Sequence, residues 1–112
     1  MQKYIKVKDN SKHITHLRIE LFYDLGGTNF FTSEIEERGY YLSVTPVQRH
    51  TSPQGYTTEI FTAFTGIKIL LNGVARRSKK AENKAEQLAQ EKEHTLVQYV
   101  CAKNKVELDK ES

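Results

Sequence analysis

A change in the spacing of apolar residues constrains this chain more than any other feature of its sequence. In the first part of the chain the pattern repeats every two residues, as where Leu17, Ile19 and Leu21 alternate with polar neighbours. Such alternation is typical of a β-strand that buries one face. From Ser78 onward the apolar residues recur every three or four positions, which is typical of a helix. The sequence therefore predicts a β-rich part followed by one long helix.

Turns that are polar or rich in glycine divide the period-two part into several strands. The predicted strands are a short one around Ile5 and Val7, then residues 13–24, 40–47 and 56–65. Residues 66–73 are too few for periodicity to decide between a strand and a helical turn. Pro46 cannot donate to a neighbouring strand, which indicates that its strand lies at an edge or ends there. Residues 34–39 are charged and end in glycine, which predicts a solvated turn.

The helical part is expected over residues 76–104, with Ser78 as the N-cap. Its predicted apolar face consists of Ala81, Ala85, Leu88, Ala89, Leu96, Tyr99 and Val100. We predict a single α+β domain over residues 1–112: an antiparallel sheet of four or five strands in residues 1–73, with one long C-terminal helix packed on one face. Residues 105–112 are expected to form a loose polar tail.

Composition limits the class of protein. The chain has 112 residues, enough for one domain, and 38% hydrophobic with 28% charged residues is typical of a soluble globular protein. A net charge of +3 permits an anionic partner without requiring one. The longest apolar run, residues 69–71, is far too short to span a membrane, and no signal peptide is visible, so we expect a cytoplasmic protein without a membrane partner. Cys101 is the single cysteine, so the fold cannot depend on an internal disulfide.

No pattern in the sequence predicts a catalytic or a metal site. His13 and His16 are an odd number of positions apart, so on one strand they point to opposite faces and cannot share a metal ion. Cys101 has no second cysteine with which to bind zinc. No nucleophile-elbow, Walker or dinucleotide-binding motif is present. We therefore predict a non-enzymatic protein without a cofactor. An enzyme built from scattered residues is the third alternative, and it would need a deep pocket lined by titratable groups.

The most informative polar feature is a basic run at the predicted start of the helix. Residues 76–80 (RRSKK) hold four cations, and Lys84 follows about one turn later. A helix N-terminus already carries positive partial charge, so each cation there opposes the helix dipole by about 0.3–1 kcal/mol before screening. Exposed N–H groups beside basic side chains suit a phosphate or a carboxylate-rich surface. The run is either such a binding site or a solvated surface that Glu82 and Glu86 partly neutralise.

Aromatic residues are more numerous than one small core needs. They include Tyr23, Phe30, Phe31, Tyr40, Tyr41, Tyr56, Phe61 and Phe64. Most are expected to fill the core beneath the helix. Tyr41 and Phe61 are predicted to lie on the sheet face without the helix, where they would stack on bases or anchor a protein partner.

Four stretches of the chain carry a resemblance to known proteins. They are residues 17–27 (LRIELFYDLGG), 38–47 (RGYYLSVTPV), 61–68 (FTAFTGIK) and 78–82 (SKKAE), and together they span most of residues 3–103. In these stretches the chain resembles small proteins encoded on plasmids, phages and integrative elements of Gram-positive bacteria, some of which are type II anti-CRISPR proteins. None of the stretches is a chemical signature. The resemblance implies an inhibitor of the RNA-guided CRISPR nuclease and implies no particular fold, since anti-CRISPR proteins share none.

A basic chain is not expected to imitate DNA, as strongly acidic anti-CRISPR proteins do. The resemblance therefore implies binding to the nuclease or to its guide RNA, a contact for which the natural residues are Arg76, Arg77, Lys79, Lys80 and Lys84, with Lys68 nearby in sequence. The alternative is a basic nucleic-acid-binding accessory protein of a mobile genetic element, which contacts the backbone without reading its sequence. That alternative predicts strong salt dependence and low selectivity.

Overall fold

The computed structural model describes residues 1–28, 33–61 and 65–109, and those ranges contain the following elements. In chain order they are β1 (Gln2–Lys6), β2 (His16–Asp24), β3 (Gly27–Thr28), β4 (Ile35–Glu36), β5 (Gly39–Thr51), β6 (Thr57–Phe61), β7 (Ile67–Gly73) and α1 (Lys79–Asn104). The predicted α+β fold with one long C-terminal helix is confirmed. The helix begins after Arg76 and Arg77, three residues later than expected. Phe30, Phe31 and Phe64 lie outside the described residues.

Five of the strands form one antiparallel sheet in the order β1–β2–β5–β6, and β7 also pairs with β5. The central strand is β5, which pairs with β2 along residues 39–47. On its other side, residues 39–44 pair with β7 and residues 47–51 pair with β6. Strands β6 and β7 therefore share one edge of the sheet, and the segment that was ambiguous in sequence is a strand.

The expectation that Pro46 marks an edge strand or a strand end is wrong. Pro46 lies inside β5, where it pairs with Leu17 of β2 and is fully buried. A proline is tolerated there because of where Pro46 lies relative to β6 and β7, on the side of β5 away from β2. Pairing with β7 stops at Val44 and pairing with β6 starts at Val47, so Pro46 falls between the two neighbouring strands.

The core lies between the helix and one face of the sheet. Leu17 and Ile19 of β2 and Leu42 of β5 are fully buried, and each such side chain stabilises the fold by about 1.5–3 kcal/mol. Ala85 and Ala89 are the buried residues in the first half of the helix. Because alanine has a short side chain, the helix axis can approach the sheet closely there. We call the opposite face of the sheet, away from the helix, the open face.

The buried stripe of the helix differs from the predicted one near the C-terminal end. Tyr99, predicted to face the core, is 50% exposed, whereas Val97 is buried. The buried residues in this part are Leu96, Val97, Val100 and Cys101, whose spacing follows the helical repeat. Tyr99 lies one position before Val100 and is therefore outside this buried stripe. Within the described ranges, no helix has the length and apolar character needed to cross a membrane.

Residues 105–109, predicted as part of a loose tail, are tied to the first strand. Lys105 adopts a left-handed conformation (φ 56°) that ends the helix. Lys8 N–H donates to the Glu107 carbonyl (2.9 Å), and Asp109 N–H donates to the Lys6 carbonyl (2.9 Å). Val106 is buried in the core, so this segment packs against the sheet and does not trail away from it. We call residues 106–109 the closing segment.

The segment predicted as a solvated turn at residues 34–39 contains the short strand β4, which pairs with β3 in a two-stranded ribbon. Gly26 sits at the base of this ribbon with φ +75°. A Cβ atom on it would lie 2.7 Å from the main-chain oxygen of Glu36, so only glycine fits.

Candidate functional site

The basic run lies where the chain leaves β7 and enters the helix. Arg76 and Arg77 occupy the loop before the helix, and Lys79, Lys80 and Lys84 lie in its first two turns. We call these five residues the basic cluster. All five are exposed. Among the described residues, no salt bridge involves any of them. The cluster is therefore a patch of cations without carboxylate partners in the described part of the chain.

Local sequence explains why the helix begins here. Ser78 is extended and its hydroxyl accepts a hydrogen bond from Ala81 N–H at 3.1 Å, as predicted for an N-cap. The first helical main-chain hydrogen bond runs from Glu82 N–H to the Ser78 carbonyl (2.9 Å), so the N–H groups of Lys79 and Lys80 precede any partner inside the helix. Glu82 is the acidic residue of the first turn. The helix N-terminus therefore adds positive partial charge to the basic cluster.

Tyr23 of β2 supports the loop that carries the two arginines. Its hydroxyl donates to the Val74 carbonyl at 3.3 Å. The Arg77 guanidinium lies 5.5 Å from the centre of the Tyr23 ring, within the range of a cation–π contact. Arg77 is thus held against the sheet, while Arg76 extends without a comparable contact among the described residues.

Arg38 is a cation beside the cluster that the sequence did not predict. It precedes β5, and Val74 N–H donates to its carbonyl (3.1 Å), which joins the loop to the start of β5. Its guanidinium donates to the carbonyl of Leu25 (2.9 Å) and to that of Ala75 (3.4 Å), next to Arg76. In sequence Arg38 is an isolated arginine, and only the pairing of β5 with β7 brings it here.

Lys68 does not join the basic cluster. Its side chain lies on the open face, where the ammonium is 3.1 Å from Glu36 Oε2 and 3.4 Å from Asp24 Oδ2. Burial alone would lower the pKa of Lys68, but the hydrogen bonds and charges of Glu36 and Asp24 outweigh it and raise that pKa. The charge of Lys68 is therefore neutralised within the molecule.

Tyr41 and Phe61 lie on the predicted face, but they differ in accessibility. Tyr41 is 6% exposed: its ring stacks on Phe22 at 6.0 Å, and its hydroxyl donates to the Glu37 carbonyl at 2.6 Å. Burial and the nearby Glu36 raise the pKa of Tyr41. Phe61 is 49% exposed, with the Arg18 guanidinium 5.0 Å from its ring centre. Of the two, Phe61 alone presents substantial ring surface to a partner.

Cations cover several rings of the open face. Arg49 lies 4.2 Å from the centre of the Tyr4 ring, and Lys68 lies 4.7 Å from that of Tyr41. Arg18 also forms salt bridges with Glu20 and Glu59. A base could stack on these rings only after displacing the cation above them. Arg18 and Lys68 of the open face are thus paired with carboxylates, unlike the basic cluster.

Two surface cavities lie outside the basic cluster. One, of about 340 Å³, is lined by Asp9, Asn10, His13, Ile14, Thr15 and His50. The other, of about 310 Å³, is lined by Gln98, Cys101, Val106, Glu107 and Leu108. Burial raises the pKa of the Cys101 thiol, which disfavours the reactive thiolate. No group of three or more metal-ligating side chains exists among residues 1–28, 33–61 and 65–109.

Comparison of the chain with protein-family models, with curated proteins and with solved structures found no match. The candidate site therefore rests on the geometry of the chain itself. That geometry separates two surfaces: an exposed basic cluster extended by Arg38, and an open sheet face on which Arg18 and Lys68 are paired with carboxylates.

Proposed function

We propose that this is a non-enzymatic binding protein that inhibits an RNA-guided CRISPR nuclease by binding the guide RNA through its basic cluster. The supporting observation is the contrast in charge pairing. Arg18 and Lys68 of the open face have carboxylate partners, whereas the described part of the chain provides none for the five residues of the basic cluster. Cations placed at a helix N-terminus and left unpaired suit a phosphate backbone.

The identity of the target rests on the resemblance to type II anti-CRISPR proteins, and the mode of binding rests on the charges. A chain with a net charge of +3 has the wrong sign to imitate duplex DNA. Backbone phosphates of the guide RNA have the opposite sign to the cluster. Arg76 and Arg77 suit bidentate phosphate contacts, and Lys79 and Lys80 add point charges.

The test is a cleavage reaction with a purified type II nuclease, in which the protein is added either before or after the guide RNA. The protein is expected to inhibit cleavage, and more strongly when it is added first. The variant Lys79→Ala/Lys80→Ala is expected to lose most of this inhibition. The matched control is Lys92→Ala/Lys103→Ala, which removes the same charge from exposed positions on the same helix. Equal inhibition by both variants, or no inhibition by the native chain, would contradict the proposal.

The alternative is a nucleic-acid-binding accessory protein of a mobile genetic element, and the same exposed cluster favours it. It differs in selectivity: backbone contacts alone bind RNA and DNA of any sequence. Gel-shift titrations with unrelated RNA and DNA in low salt separate the two functions. Shifts of every nucleic acid without inhibition of the nuclease would favour the accessory protein.

A further inference from the structure

We infer that the outer edge of β6 is an interface for a second copy of this chain, which pairs with it in antiparallel fashion around a two-fold axis at Thr58. In the order of the main sheet, β6 is a terminal strand, and among the described residues it has a neighbour on one side only. This inference goes beyond the proposed function, because the edge of β6 contains no residue of the basic cluster.

The edge of β6 lacks two residue types that keep sheet edges apart. Lysine and proline on an edge strand discourage pairing with another chain. Strand β1, also at an edge, has Lys3 and Lys6, and the closing segment bonds to its end. Strand β6 reads TTEIF and has no lysine. Its one charge, Glu59, lies 3.5 Å from the Arg18 guanidinium, so that charge is partly offset within the same copy.

Exposed apolar side chains concentrate at this strand. Tyr56, just before β6, is 76% exposed, Ile60 is 54% exposed and Phe61 is 49% exposed. A partner along the edge would cover apolar area that now faces water, and area removed from water favours association.

The hairpin between β5 and β6 determines which main-chain groups point outward. Ser52 N–H donates to the Tyr56 carbonyl at 2.7 Å, so the alternation of an antiparallel pair directs the groups of Tyr56, Thr58 and Ile60 toward β5. The hydroxyls of Thr51 and Thr57 lie 3.2 Å apart, as expected for a pair without main-chain bonds between them. The N–H and C=O groups of Thr57 and Glu59 therefore point away from β5, and no strand among the described residues pairs with that side.

One symmetric register suits these groups. With Thr58 on the two-fold axis, Thr57 of each copy pairs with Glu59 of the other, which gives four main-chain hydrogen bonds. Tyr56 then lies opposite Ile60 of the other copy, so that two exposed apolar side chains cover each other. A register centred on Glu59 would instead place two carboxylates directly opposite, and like charges there are destabilising. The charge pattern thus selects the register centred on Thr58.

The contact is short, and interfaces burying less than about 1,000 Å² are weak or transient. We therefore expect a monomer–dimer equilibrium that shifts with concentration. Sedimentation equilibrium of the full chain should show dimer at concentrations up to about 1 mM. At that concentration a dimer is detected even when its free energy of association is only about −4 kcal/mol. The variant Thr58→Lys should remain monomeric, because it places two lysine ammonium groups opposite each other across the two-fold axis. Thr28→Lys, at an exposed position on β3, should dimerise like the native chain.

Disulfide trapping tests the register in a Cys101→Ala background. Residues facing each other without main-chain bonds have Cα atoms about 4.5 Å apart, a separation that a disulfide spans. Thr58→Cys should therefore yield covalent dimer on mild oxidation, at least tenfold faster than Ile60→Cys on the same strand. A native chain that is monomeric at every concentration, or equal trapping of both variants, would overturn the inference. Failure here leaves the basic cluster untouched, because none of these changes alters it.

Discussion

The side-chain amide of Asn104, in the last turn of the helix, donates to the main-chain carbonyl of Thr65 at 3.0 Å. Asn104 is 3% exposed and also donates to the Val100 carbonyl at 2.8 Å. Thr65 lies between the two strands that share the edge of β5, which is the part of the sheet with the least continuous pairing. Asn104 therefore connects the C-terminal end of the helix to the segment between β6 and β7, where pairing along that side of β5 is interrupted.

Replacing Asn104 by Leu should destabilise the protein by about 1–3 kcal/mol, because the substitution removes two hydrogen bonds in a buried place. Urea denaturation measures this loss. Lys103→Leu, at the neighbouring exposed position, serves as the control and should change the free energy of unfolding by less than about 0.5 kcal/mol. Equal effects of the two substitutions would show that Asn104 does not act through its amide.

Lys105→Gly should stabilise the protein by about 1 kcal/mol. Lys105 has φ 56° and ψ 47°, a left-handed conformation that costs a residue with a Cβ about 1–2 kcal/mol and glycine almost nothing. Its N–H donates to the carbonyls of Cys101 and Ala102, a role that glycine retains. Thermal unfolding is the measurement. Lys103→Gly, inside the helix, should lower the melting temperature instead.

His16 should make the folded state less stable in mild acid. Burial, followed by the charges of Arg49 and Lys6, lowers the pKa of His16 below its usual value of 6.5, while Glu59 opposes this shift. The unfolded chain therefore binds more protons between the lowered pKa and 6.5, so stability falls as pH drops through that window. His16→Gln removes this dependence. Denaturation from about pH 7.5 to pH 5 should show the native chain losing stability relative to the variant, whereas a constant difference would contradict the prediction.

Gly66→Ala should destabilise the protein by about 1–3 kcal/mol through steric overlap. A Cβ atom at Gly66 would lie 2.6 Å from the main-chain oxygen of Val44 on β5, which cannot move aside easily. Gly73→Ala is the matched control at the other end of β7. There the nearest atom, 3.0 Å away, is the flexible carboxylate of Glu37. Chemical denaturation should find a clearly larger loss at Gly66, and similar losses would argue against a close approach to Val44.

Much of the fold could be predicted because periodicity is a local property. The alternation of Leu17, Ile19 and Leu21 and the helical spacing of Ala85, Ala89 and Val100 each point to one buried face, and each is buried as expected. The tolerance of Pro46 inside the central strand could not be predicted in this way. It depends on two separate strands meeting the same neighbour, and no local pattern encodes that arrangement.

The candidate site could be predicted only in part, because sequence shows local features and not contacts between distant strands. The basic cluster comes from one short stretch, residues 76–84, so its five cations were visible in sequence. Arg38 joins it only through the pairing of β5 with β7, and Lys68 turns away from it because neighbouring strand residues alternate between faces. Proximity in sequence placed Lys68 near the cluster, whereas its carboxylate partners Asp24 and Glu36 come from β2 and β4.

The closing segment has a consequence for the order in which the protein folds. Lys8 and Glu107, whose side chains form a salt bridge at 3.2 Å, are 99 positions apart. A contact that closes so long a loop carries a large entropic cost and is expected to form late, after local hairpins and the helix. A nascent chain cannot form it until residue 107 has left the ribosome, so β1 must first pair with β2 without the closing segment. Completion of the fold therefore waits for residues 106–109, whereas β1 and β2 can pair as soon as residue 24 has emerged.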